Sequence, residues 1–268
     1  MKGSSFFCDA IRAEFLKIWA MRFPRYSAAG LVAFVGLMTY ELFAGEHLAD
    51  HVHLTSALTL VPYLSMATWG DMFVIPLYIM GLATYCMTVD SQYGMIRVGC
   101  AQPLSRVSYI AAKSLAILLH SALFTSAYFL LLVAVSAVAG GSLRMPLAEV
   151  LPIVFVYLRL LVFCVSFAWL IAGAALFRRT LLESFVSAIL VIVALIWINM
   201  MPMRFGFNPY LFFRYFLYPI SPILRKEWLS DYPNIGNPMW QYLVTMVATP
   251  AIVWSLALAR FIRRDITE

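Results

Sequence analysis

DSQYGMIRVGCAQPLSRVSYIAAK, residues 90–113, is a polar interruption between two apolar runs. The run before it, 72–89, carries no charged residue, and the run after it, 114–139, carries none apart from the titratable His120. A helix that crosses a bilayer needs about 20 mostly apolar residues, so the interruption reads as a connection between two spans. Gly94 and Pro103 punctuate it, which argues against one continuous helix. The pattern predicts a short helix over 93–102. A second helix starts at Leu104 or Ser105 and runs through Lys113 into the following span.

Working outward, four further apolar stretches qualify: 26–43, 150–177, 181–201 and 240–261. The first is the weakest, being short and carrying Glu41 near its end. The expected fold is an all-α integral membrane protein with six transmembrane helices. Composition agrees. Of 268 residues, 63% are hydrophobic and 12% charged, with mean hydropathy +0.86. A soluble domain is roughly 45–50% apolar and about 25% charged. Disordered, collagenous and disulfide-framework classes are excluded on the same ground. Cys8, Cys86, Cys100 and Cys164 make no framework and are expected to be reduced.

Charge tests the topology. With the N-terminus inside, the inside segments hold Lys2, Arg12, Lys17, Arg22, Arg25, Arg97, Arg106, Lys113, Arg178, Arg179, Arg260, Arg263 and Arg264. The outside segments hold Arg144, Arg204, Arg214, Arg225 and Lys226, and Arg159 lies within a span. Basic residues near span ends favour the cytoplasmic side, so both termini are expected there. The net charge of +6 is thus assigned to the membrane surface, and no nucleic-acid partner is expected. Residues 1–25 lack the apolar core of a cleaved signal peptide. Phe7, Ile11, Phe15 and Ile18 share one helical face, with Asp9, Arg12, Glu14 and Lys17 off it. That pattern predicts a helix lying in the membrane interface, which turns into the first span at Arg22, Pro24 and Arg25.

The loop between the second and third spans has a family look. Asp90, Tyr93-Gly94, Arg97, Pro103-Leu104-Ser105-Arg106 and Lys113 follow in order. This resembles the ABC-2 family of exporter permeases, whose inside loop reads acidic–x–x–x–Gly–Thr, a short helix, then Pro–hydrophobic–Ser–Arg and a Lys. Met95 stands where Thr is commoner. The N-terminal interfacial helix with Glu14 and Lys17, and the aromatic stretch before the last span, are also similar to that family, so the likeness covers nearly the whole chain. It looks nearest to the bacitracin, lantibiotic-immunity and sodium-efflux permeases of bacteria. The resemblance implies a permease subunit in a bacterial inner membrane. It would pair with a second permease copy or a homologous one, sit in membrane lipid, and dock on a cytoplasmic ATPase subunit. Residues 1–25 would be the connecting helix, and 26–268 the transmembrane domain with a coupling loop at 90–113. Partner-coupling residues would be Glu14, Lys17, Asp90, Tyr93, Gly94, Arg97, Pro103, Ser105, Arg106 and Lys113. The sequence has no Gly-x-x-x-x-Gly-Lys-Ser/Thr loop. No cofactor is therefore expected in this chain, no catalytic residue is assigned, and ATP and Mg would belong to the partner.

Residues 203–239 are outside in this topology and crowded with aromatics, including Phe212 and Tyr215. Aromatics favour the membrane–water interface. One expectation is a re-entrant segment beside the exit route, the other a belt that only anchors. Arg159 lies near the bilayer midplane, where a charge is expensive. It either meets an anionic group on the substrate or pairs internally, with Glu41 or nearby carbonyls; the internal role is preferred. Arg159, Phe212 and Tyr215 are the candidates for the substrate path. His120 is expected to be a hydrogen-bonded interior residue. His47 and His51 share a helix face beside Glu46 and Asp50 and are weak candidates for zinc or copper, a solvated patch being the alternative. Thr180 and Glu183 fit a capping box. Ala172, Gly173, Ala174 and Ala175 form a small-residue face, suited either to a dimer seam or to internal packing. A secondary transporter or channel subunit is the alternative function. A membrane-embedded metal enzyme follows it, resting on the His cluster alone.

Overall fold

The computed structural model describes residues 3–44, 75–92, 105–139, 147–178, 180–205 and 239–263. All regular structure among them is helical. Seven helices follow in order: α1 (Gly3–Ala20), α2 (Arg22–Ala44), α3 (Ile75–Gln92), α4 (Arg106–Ala139), α5 (Leu147–Leu176), α6 (Leu181–Phe205) and α7 (Met239–Arg263). Each of the six apolar stretches is helical over most of its length, and α1 covers the expected amphipathic segment. Two stretches, Arg106–Ala134 in α4 and Met246–Arg263 in α7, are long and apolar enough to cross a membrane.

α5 is the hub. It packs most extensively against α7 and also against α3, α4 and α6, while α1 lies along α4. The core is built from Phe163, Phe167 and Cys164 of α5, Tyr128 and Ile117 of α4, and Ile79 and Leu82 of α3. The small-residue face of α5 is spent inside this bundle. Ala172, Ala174 and Ala175 are fully buried, and a Cβ on Gly173 would lie 3.1 Å from backbone atoms of Trp254 on α7. Only a residue with no side chain lets the two backbones meet this closely.

The outer faces are apolar. Leu123 and Leu130 on α4, Leu182 and Leu190 on α6, and Ile252 and Leu256 on α7 are each more than half exposed. An apolar surface shared by so many helices marks contact with lipid or with protein. Inside, several threonine hydroxyls are satisfied locally. Thr84 donates to the Met80 carbonyl at 2.6 Å, Thr88 to Thr84 at 2.7 Å and Thr125 to Ser121 at 2.9 Å. This four-residue back-bonding solves the burial problem of a polar group without water. Cys8, Cys86 and Cys164 are free thiols, as expected; Cys100 lies outside the described residues.

Helix ends follow the same rule. α4 starts at Arg106, one residue past the expected Ser105, which is its cap: Ser108 N donates to Ser105 Oγ at 3.1 Å. α6 is capped by Thr180, whose Oγ1 accepts from Glu183 N at 3.3 Å. At the end of α5 the Ala174 and Ala175 carbonyls accept from Phe177 N and Arg178 N, each at 3.3 Å, and two serines of α6 add to these bonds. Ser184 donates to the carbonyl of Ala175 at 3.1 Å and Ser187 to that of Ala174 at 3.4 Å. Replacing Ser105 with Ala removes the α4 cap. The expected cost is about 1 kcal/mol, read as faster hydrogen exchange confined to the first turn of α4.

Candidate functional site: a buried charge cluster

Four of the residues singled out in the sequence meet in one place. Asp90 ends the apolar run of α3, Lys113 lies two turns into α4, and Glu14 and Lys17 share one face of α1. Lys113 and Lys17 both bind Asp90, one on each carboxylate oxygen. Tyr109 donates its hydroxyl to Asp90 Oδ2 at 2.5 Å. Glu14 closes the ring, 3.9 Å from each ammonium. Two carboxylates and two ammonium groups make the cluster neutral.

Burial gives the cluster its weight. The side chains of Asp90 and Lys113 are 4% and 2% exposed, Glu14 15% and Lys17 38%. Asp90 sits at a helix C-terminus, the unfavourable end for an anion. Burial pushes its carboxyl up; Lys113 opposes this, helped by hydrogen bonds from Lys113, Lys17 and Tyr109, and the net result is a carboxyl held down at about 2. Lys113 also lies 5.4 Å from the centre of the Tyr109 ring, within range of a cation–π contact.

This arrangement is a clamp between three helices. Three donors occupy the Asp90 carboxylate, from Lys17, Lys113 and Tyr109. What it does is mechanical. It joins α1 to both roots of the 90–113 connection, because Asp90 precedes that connection and Lys113 closes it. Asp90 and Lys113 are too deeply buried to touch another protein directly. Of the exposed positions, Ser105 caps α4 and Arg106 opens it.

Tyr109 was missed in the sequence reading. Its signal was present: it stands four residues before Lys113 and therefore on the same helical face. His120 is an interior residue bonded to Tyr78 at 2.7 Å, as expected. Tyr93, Gly94, Arg97 and Pro103 lie outside the described residues, as do His47, His51, Phe212, Tyr215 and the side chain of Arg159. Among the described residues no group of three His, Cys, Asp or Glu is placed to hold a metal ion.

No protein-family model matches this sequence, and no curated protein matches it.

Proposed function

We propose that this chain is the transmembrane permease subunit of an ATP-driven exporter of the ABC-2 kind, with six spans and both termini in the cytoplasm. The observation that carries the reading is the neutral cluster of Glu14, Lys17, Asp90 and Lys113. It binds the N-terminal helix to both ends of the loop that the family likeness assigns to coupling. A partner ATPase that moves residues 93–104 would pull on α3, α4 and α1 together through Asp90. Ionic contacts in a dry setting are stiff, because separating them costs several kcal/mol. The loop would then act on the bundle as a lever. The apolar outer faces of α4, α6 and α7 are what lipid contact requires, and the basic residues at the α1–α2 junction suit a cytoplasmic membrane surface.

The test is purification of a tagged copy from its native membrane. An ATP-binding subunit is expected to come with it, and to fall to background when residues 94–106 are replaced by a Gly/Ser linker of equal length. Intact, folded chain recovered without any ATPase overturns the proposal. A gradient-driven flux through the reconstituted chain alone favours the channel or secondary-transporter alternative.

A further inference from the structure

At the junction of α1 and α2, a cavity of about 380 Å³ opens between these helices and α3 and α4. That volume lies within the range of roughly 300–1,000 Å³ typical of small-molecule sites. Its walls are apolar, with Phe124 and Ala127 of α4 and Trp19 of α1. Three polar groups converge on it: Tyr78, His120 and Arg25. Among the described residues no carboxylate lines it.

His120 is 3% exposed, and its Nδ1 is buried with no hydrogen-bond partner among the described residues. Such atoms are rare, and each calls for an explanation. The other ring nitrogen is taken by the Tyr78 hydroxyl at 2.7 Å. With Tyr78 donating to Nε2, the proton sits on Nδ1 and looks for an acceptor. Neighbouring rings hold the imidazole in place: Trp19 at 5.7 Å and Phe15 at 6.1 Å between centroids. Arg25 is held at the edge, its Nε donating to the Trp19 carbonyl at 3.2 Å. Among the described residues no carboxylate lies within ion-pair distance of Arg25. The rim includes Trp19, 57% exposed, on an apolar outer surface. A molecule entering there has an apolar body, one anionic group and one hydrogen-bond acceptor.

We propose that this cavity is a binding site for one acyl chain of an anionic phospholipid. The phosphate pairs with Arg25, and an ester carbonyl accepts the Nδ1 proton of His120. This rests on the membrane placement proposed above, which puts the α1–α2 junction at the cytoplasmic face, where anionic headgroups meet basic side chains. Bound there, the lipid wedges the junction of α1 and α2 against α3 and α4, on the same α1 that carries Glu14 and Lys17.

Native mass spectrometry of the full chain in detergent tests it, with phosphatidylglycerol, phosphatidylcholine of the same chains, and inorganic phosphate as probes. Wild-type protein is expected to retain one phosphatidylglycerol with about five-fold preference over phosphatidylcholine, the size of one basic contact to an anionic headgroup. Arg25→Gln, at an exposed position, should bring that preference near unity. Ala127→Trp, which fills the cavity, should remove the retained lipid. Equal retention of the two lipids by wild type overturns the proposal, and so does a preference that survives Arg25→Gln. Inorganic phosphate that displaces phosphatidylglycerol at millimolar concentration overturns it too, by showing a site for free phosphate. ATPase recovery in the same preparations reports separately on the exporter reading, because lipid retention is read on this chain alone.

Discussion

Asp90→Leu is expected to destabilise the fold by about 3–5 kcal/mol, because it leaves Lys113 as a buried ammonium with Glu14 as its one remaining carboxylate among the described residues. At 2% exposure Lys113 cannot reach water, and Glu14 is 3.9 Å away. Lys113→Met should cost less, since Asp90 keeps Lys17 and the Tyr109 hydroxyl. The double replacement should recover much of the Asp90→Leu loss. No buried charge then remains, and the residual cost is the unpaired Tyr109 hydroxyl, about 1–3 kcal/mol. Unfolding in detergent, arranged as a double-mutant cycle, measures the coupling. Additive single effects would show that the two groups do not interact.

The same cluster sets an acid limit. Asp90 titrates at about 2 in the fold against 3.8 when free. A carboxyl depressed by folding binds more protons in the unfolded chain, so its stabilisation is complete above about pH 4. It drains as pH falls toward 2, and amounts in all to about 2 kcal/mol. Asp90→Leu should flatten that part of the stability profile.

Gly173→Leu is the second large effect. A Cβ at this position meets Trp254 Cα and N at 3.1 Å and Val253 Cγ1 at 3.3 Å. Backbone atoms of a packed helix cannot step aside singly, so α5 and α7 must separate along their most extensive contact. Gly173→Ala should cost about 1–3 kcal/mol and Gly173→Leu more. Gly81→Ala is the instructive contrast. Its Cβ would come within 2.9 Å of Phe23 Cζ, a nominally worse clash. That atom is the tip of a side chain 39% exposed, which can swing away. The gain in helix propensity, about 1 kcal/mol, should bring the change close to neutral. Thermal midpoints in the order Gly81→Ala, Gly173→Ala, Gly173→Leu from highest to lowest support this account. A reversed order would mean that the α5–α7 seam is loose.

The helical class and the helix positions were legible in the sequence because long apolar runs leave few alternatives. The start of α4 was legible to within a residue or two because Pro103 breaks any helix that would run through it. The charge cluster was half legible. Asp90 and Lys113 stood out as the two ends of a polar connection, and Glu14 and Lys17 as charges on an amphipathic helix. That the four meet is a tertiary fact. Periodicity places residues on faces of one helix but does not say which face looks at which neighbour. For the same reason Glu14 and Lys17 read as polar-side residues, while the structure turns that side onto α3 and α4. The small-residue face of α5 left two uses open, and the proximity of Trp254 decides for packing within the chain. Tyr78, as partner of His120, had no signal, being 42 residues away on another helix.

The contacts that close the bundle also order its birth. Lys17 meets a residue 73 positions later, and Ser114 receives the indole N–H of Trp254 from 140 positions on. α1 therefore leaves the ribosome with only its internal Glu14–Lys17 pair, and gains Asp90 and Lys113 once α3 and α4 have been made. The glycine notch of α5 stays uncovered until the last described helix is in place. A chain stopped short of Met239 would carry every element of the charge cluster and still lack the helix that seals its hub.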